Sequence, residues 1–425
     1  MPAASQHRMA WLDALRAVAA LLVVYAHLSH YLLRGARDVS AEWLHAGTAG
    51  VMLFFLVSGY IVPASLERHG NLRAFWISRL ARLLPLYVVV TVLVIAVLPV
   101  DPYLSAHPVT AAVAHATMLT HLLGVPLVTP VFWTLTFEMA FYLIVSALFA
   151  LGRHRASGAI AVTLAVVAVA GAPLSPGTFV GPVAAVVALI AGLAALTSGR
   201  RGLELAGAVL LLVFAAGLLL GGQDGAHVWD GLLIPAVMFV GTTIYRAEHG
   251  QLPRRQAVVV AGVVAAALLT NWFAELAALH AVTPRYVTRS ILTLLVFAGA
   301  FAVGMACRHR RVPRFLAWMG LVSYSIYLVH VPLIQLLDPV LSFLGSRLHG
   351  PVELIAAVGF VAVLLGLSWL SHRYIEQPGQ RLGRSMVRQW SSLGSPASAP
   401  PPSSPALPRP RSRTPSPVPG SSAGR

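Results

Sequence analysis

The sequence predicts an all-α integral membrane protein, a polytopic bundle of about 10–12 transmembrane helices. Three observations carry that reading. Hydrophobic residues make up 57% of the chain, charged residues only 10%, and the mean hydropathy is +0.77. Soluble domains carry about 25% charged residues, so this chain cannot cover a water-facing surface in the ordinary way. Apolar runs of helix length recur from end to end, and the charge between them is sorted by sign and by side.

The candidate spans lie near 10–32, 46–66, 83–100, 131–151, 157–172, 178–197, 204–221, 229–245, 256–279, 286–306, 315–336 and 353–374. A membrane-crossing helix needs about 20 residues, and the runs at 157–172 and 204–221 are the weakest of the set. The stretch 108–125 is apolar but broken by polar residues and proline, and reads as re-entrant. The first run contains Asp13 and Arg16 and has no clear cleavage site; it reads as a retained helix rather than a signal peptide. The chain thus divides into a short N-terminus (1–8), a membrane domain (9–380) and a tail (391–425).

Loop charge sets the topology. All 30 basic residues are arginine, and the formal net charge is +16. With the N-terminus cytoplasmic, alternate loops carry Arg68/Arg73/Arg79/Arg82, Arg153/Arg155, Arg200/Arg201, Arg246/Arg254/Arg255, Arg308/Arg310/Arg311/Arg314 and Arg373/Arg381/Arg384. All six clusters then fall on the cytoplasmic side of the cell membrane, with both termini inside. The opposite loops hold Arg34, Arg37, Arg285, Arg289 and Arg347 with acids such as Asp101, Asp224, Asp230 and Asp338. Basic charge sorted in this way marks a lipid bilayer and argues against a nucleic-acid partner. The tail from Ser391 holds ten of the 29 prolines and cannot bury enough apolar surface to offset its ordering entropy. Cys307 is the only cysteine, so no disulfide forms within the chain and no CxxC-type metal site exists; no metal is predicted.

Ionisable residues inside membrane segments are costly and need a reason. In the first span Arg16 and His27 are 11 residues apart, close to three whole turns. They share one helix face, about 16 Å apart along the axis. Asp13 sits one turn before Arg16 and can pair with it. His27 reads either as a structural histidine or as a base. In the second span, Ser58-Gly59 would let a helix or a ligand approach closely. Arg79 and Arg82, in the basic loop that follows, are one turn apart and could grip a polyanion with two guanidinium forks; on spacing alone they read as topology. Thr134, Glu138 and Tyr142 fall at i, i+4 and i+8, one polar stripe, with Glu138 at a depth similar to that of His27 and able to orient its imidazole. Ser323, Tyr327 and His330 form a comparable face in the eleventh span.

Taken in order, Arg16-x10-His27, the Phe54–Tyr60 motif, Arg79-x2-Arg82, Trp133-Thr-Leu-x2-Glu138, Ser323-Tyr-Ser-Ile-Tyr-Leu-x-His330 and Glu376-x-Pro378 resemble the acyltransferase 3 family. That family includes membrane O-acetyltransferases that modify bacterial surface polysaccharides and some antibiotics. The resemblance covers about residues 9–380. It implies acyl-CoA, by resemblance acetyl-CoA, as the donor on the cytoplasmic side, an essential Arg16/His27 pair, and Arg79 and Arg82 at the CoA end of the site. Glu138 matches the family's acidic position. No fused extracytoplasmic hydrolase-like domain is expected, and the acceptor is a carbohydrate or glycosylated molecule. On this reading His27 acts as general base or carries the acyl group covalently, with Ser58, Tyr327 and His330 in support. The competing reading is a transporter or flippase that uses His27 and Glu138 as a proton relay, against which stands the absence of a visible inverted repeat.

Overall fold

A computed structural model describes residues 10–170, 181–221 and 230–394. The N-terminal residues 1–8, the Asp224 loop and the tail beyond 394 lie outside the described residues. Every element among those described is helical.

The first half comprises α1 (Ala10–Leu28), a short helix α2 (Arg34–Trp43), α3 (Ala46–His69), α4 (Leu72–Val97), two short helices α5 (Pro102–Ala106) and α6 (Pro108–Ala116), α7 (Trp133–Ala150), α8 (Ser157–Ala170), α9 (Pro182–Leu196) and α10 (Arg201–Gly221). The second half comprises α11 (Asp230–Glu248), α12 (Arg254–Ala278), α13 (Pro284–Ala306), α14 (Arg314–Leu321), α15 (Ser323–Leu336), α16 (Asp338–Arg347), α17 (Pro351–Ser371) and α18 (Gln377–Gly394). Eight helices among the described residues are long and apolar enough to cross a membrane, and the α14–α15 pair, bent by 68° at its break, meets the same length and composition test when taken together. Each of the twelve runs read from the sequence is helical among the described residues, the eleventh as the α14–α15 pair; α8 and α9 are described over 14 and 15 residues, and α11 is not among the eight. The 108–125 stretch forms α6 and a single 3-10 turn at His121–Leu123 rather than one helix.

Helices α3 and α11 form the centre of the bundle. Their backbones touch because two positions lack side chains. A Cβ on Gly59 would lie 1.8 Å from the Met238 carbonyl oxygen, and one on Gly241 would lie 2.3 Å from that of Leu56. Thr242 then donates a hydrogen bond to the Gly59 carbonyl at 2.8 Å. Small residues at a crossing, with a hydroxyl as clasp, are how membrane helices associate where the lipid supplies no hydrophobic drive.

Three elements differ from the sequence reading, each for a local reason. The basic segment before the third span is helix, not loop: the Asn71 side chain accepts from the Ala74 N–H at 3.0 Å and starts α4 at Leu72, so Arg79 and Arg82 stand on a rigid element. The eleventh span is not one continuous helix. It breaks at Val322, just after Gly320, whose missing side chain lets α14 press onto the Asp13 carbonyl (a Cβ would lie 1.9 Å from it). The last span does not stop near 374. A π-helical turn at His372–Glu376 carries it into α18, where Gly379 and Gly383 lie against Ala81 and Pro85 of α4. Helix α18 therefore continues past residue 391, where composition places the start of the tail.

The arginine clusters are joined at one end of the bundle. Arg73 donates to the Thr197 carbonyl and stacks on Trp390 at 5.0 Å. Arg201 donates to the Ala150 carbonyl at 2.9 Å. Arg246 pairs with Glu67 and donates to the His154 carbonyl, and Arg308 pairs with Glu248 at 2.7 Å. These bonds connect all six arginine-bearing segments. At the other end Arg285 pairs with Glu42, and the Leu33 N–H donates to Glu353.

Candidate active site

Helix direction assigns each candidate residue to an end. α1 starts at the arginine end, so Arg16 lies near that end and His27 near the other. α3 returns, carrying Ser58 toward the arginine end, and α4 sets out again from it with Arg79 and Arg82. α7 comes in from the far end, beginning at Trp133.

Two chambers open between these helices. The first holds about 710 Å³ of empty space, and Arg16, Arg79, Arg82, Ser58, Glu138 and Tyr324 are among the residues that line it. Three guanidinium groups face a single space. Arg16 is tied to Asp13 at 2.9 Å, which fixes its position. Arg79 is buried, with its guanidinium 5.3 Å from the Phe75 ring centre and 5.6 Å from that of Tyr142. Its Nε–H has no hydrogen-bond partner. Tyr324 donates to the Leu83 carbonyl at 2.9 Å and holds α15 to α4 beside this chamber.

The second chamber is larger, about 1230 Å³ of empty space, and lies toward the other end, with His27, His45, Trp133, Trp272 and Glu275 on its wall. Val51 and Tyr327 border both chambers. The Thr134 hydroxyl lies 2.9 Å from the Tyr327 hydroxyl and 3.2 Å from the Val131 carbonyl, so Tyr327 is held in place as a partition between the chambers.

His27 is held by two bonds. Its Nδ1 lies 2.9 Å from the Val23 carbonyl and 3.3 Å from Nε2 of His330. The His330 Nδ1 lies 2.7 Å from the Tyr327 carbonyl, and His330 is fully buried. Carbonyls only accept, so this network assigns the tautomers: both rings carry the proton on Nδ1. Nε2 of His330 then accepts from His27, and Nε2 of His27 is left as a lone pair.

The sequence-predicted residues therefore separate into two groups. Arg16, Arg79, Arg82, Ser58 and Glu138 share the first chamber, His27 lines the second with His330 behind it, and Tyr327 stands between. The expected Glu138–His27 pair does not form. Glu138 instead accepts a hydrogen bond from Tyr142, its own helix neighbour, and His330 takes the place at His27. The i, i+4, i+8 pattern places Glu138 on a face of α7, but it does not say which neighbour that face meets. Ser58 and Gly59 also divide: Ser58 faces the chamber and Gly59 the α11 backbone.

Sequence reasoning missed Trp272 and Glu275, which lie within one turn near the end of α12, and His45 before α3. Glu275 carried the same signal as Glu138, an ionisable residue in an apolar run. Glu376 also proves structural: it is buried and accepts from Ser325, with the His372 Nδ1 at 3.2 Å, locking the π-helical turn to α15. Among the described residues no group of three or more potential metal ligands occurs.

Comparison with known proteins gives one consistent result. The profile of the acyltransferase domain family matches residues 9–373. The chain is 24% identical over 403 residues to the peptidoglycan O-acetyltransferase OatA of Listeria monocytogenes, covering 88% of this chain and 56% of that protein. It is 30% identical over 176 residues to nodulation protein 10 of Rhizobium leguminosarum bv. viciae, covering 36% of this chain and 48% of that protein. The chain thus spans only about half the length of these curated relatives. No solved structure matches it.

Proposed function

The chain belongs to the acyltransferase 3 family, and we propose that it is a multi-pass membrane O-acetyltransferase that moves an acetyl group from acetyl-CoA to a carbohydrate hydroxyl across the Tyr327 partition. The observation that carries this reading is the convergence of Arg16, Arg79 and Arg82 on one chamber with His27 just beyond it.

The arginine chamber is the donor site. Guanidinium forks match phosphate oxygens bidentately, and Arg79 and Arg82, one helical turn apart, both line this chamber. Glu138 offsets part of the charge there, which favours release of spent CoA. The arginine end of the bundle faces the cytoplasm, where acyl-CoA is found, in accord with the positive-inside rule. The roughly 16 Å of helix rise between Arg16 and His27 is comparable with the reach of an extended pantetheine arm, so phosphates at the arginines leave the thioester near His27.

His27 is the base. With its Nδ1–H held by Val23 and His330, Nε2 takes the proton of an acceptor hydroxyl as that oxygen bonds to the acyl carbon. The Tyr327 O–H donates to the developing oxyanion. The C–S bond then breaks, and the CoA thiolate leaves with the proton returned by the His27 imidazolium.

The test is CoA release by purified protein given acetyl-CoA and a glycan. His27→Ala should lower turnover by about 100-fold or more, and Arg79→Ala should weaken CoA binding by about tenfold or more. Undiminished turnover in the first variant, or unchanged CoA affinity in the second, removes the assigned role. A transporter would release no CoA at all, and a covalent acyl-His27 would be trapped by rapid acid quench and read by mass.

A further inference from the structure

The two chambers differ in charge as well as in position. Arginines dominate the first, while no arginine lines the second. Its wall carries one carboxylate, Glu275, together with two indoles, Trp133 and Trp272, and the two histidines His27 and His45. Arg289 is not among the lining residues; its guanidinium donates to Nδ1 of His45 at 2.6 Å. That bond requires His45 to be neutral and leaves its other ring nitrogen, Nε2, as an N–H donor. Desolvation of the ring and, second, the Arg289 charge push the His45 imidazole down to about 4. The chamber wall therefore offers one carboxylate, a base, a neutral donor and two flat apolar faces, next to the small hydroxyl residues Ser290 and Thr293.

Resting on the acyltransfer reading above, we propose that this chamber is the acceptor subsite and that it selects an uncharged or amino-bearing pyranose over an anionic one. An indole buries a large apolar area while tolerating a polar edge, which suits the C–H face of a sugar ring, and Trp272 supplies that platform. Glu275, acceptor-only as a carboxylate, takes hydrogen bonds from ring hydroxyls or from an ammonium group. A uronate or phosphate would meet Glu275 with no cation on the chamber wall to pair with, the Arg289 guanidinium being engaged on His45, and juxtaposed like charges are strongly disfavoured. The same charge contrast keeps the polyanionic donor on its own side of Tyr327.

The experiment is saturation-transfer NMR on the full chain purified in detergent. The probes are methyl β-glucopyranoside, methyl 2-amino-2-deoxy-β-glucopyranoside and methyl β-glucuronopyranoside. The first two should receive saturation, and the glucuronide should bind about tenfold more weakly or worse, equivalent to about 1.4 kcal/mol. Trp272→Ala should abolish the signal of the neutral glycoside while CoA binding persists, which shows that the fold is intact. Glu275→Gln should narrow the gap between glucoside and glucuronide, without requiring any change in the core. A glucuronide signal equal to the glucoside's, or an undiminished signal in Trp272→Ala, overturns the proposal. Glycoside binding as expected with no CoA release from any pair of substrates would overturn the acyltransfer reading and leave the sugar site standing.

Discussion

His27 and His330 decide which nitrogen of the site can act. A lone histidine in a membrane helix has two tautomers, and only the one with Nδ1–H leaves Nε2 free toward the chamber. Val23 alone favours that tautomer, and His330 adds a second acceptor whose own proton is held by the Tyr327 carbonyl. His330 is thus a positioning residue. Replacing it with Phe removes the acceptor but keeps a buried ring, and turnover should fall at least about tenfold, or about 1.4 kcal/mol of barrier, with CoA affinity unchanged. His330→Asn, which keeps an acceptor, should recover part of the loss and show a shifted pH–rate profile. Equal activity in all three proteins would reduce His330 to packing. At this scale the sequence could name candidate residues but not their partners. Arg16, Arg79, Arg82 and Glu138 line the first chamber, His27 lines the second, Tyr327 borders both, and His330 lies buried behind His27. The partner of His27 was misassigned because helical periodicity orders residues on a face but says nothing of the facing helix.

At the scale of elements, glycine separates contacts from conformational slack. Gly59 is in the α3–α11 crossing, where a Cβ would overlap the Met238 backbone, whereas Gly262 of α12 has nothing within 4 Å of an added Cβ. Gly59→Ala must push the two central helices apart and should destabilise by about 1–3 kcal/mol or more. Gly262→Ala should be neutral or stabilise by about 0.5–1 kcal/mol, since glycine is a poor helix former. Thermal unfolding in detergent reads both, and a similar loss in each would mean that the crossing is not a tight contact. Helix existence was legible because an apolar run of about 20 residues has few alternatives in lipid. The break at Val322 was not, because it follows from a contact between Gly320 and the Asp13 backbone, distant in sequence. The start of α4 was legible in principle: Asn71 is a strong N-cap residue, hidden only by reading its basic turn as loop.

For the whole molecule, sidedness follows from charge alone and survives in three dimensions. The six arginine-bearing segments are distant in sequence, yet ion pairs, carbonyl bonds and one Arg–Trp stack join them at one end. The opposite end is tied by Glu42–Arg285 and the Glu353 carboxylate. Which end meets the cytoplasm decides which chamber meets acyl-CoA, so the mechanism and the orientation stand together. The single cysteine makes this measurable. In a Cys307→Ser background, Arg311→Cys places a thiol in an exposed turn of the arginine end, and His349→Cys places one in the exposed turn before α17. A membrane-impermeant maleimide added to intact cells should label Cys at 349 and leave 311 unlabelled, and permeabilisation should expose 311. The reverse pattern would put the arginine chamber outside, away from acyl-CoA, and the donor assignment would fall with it.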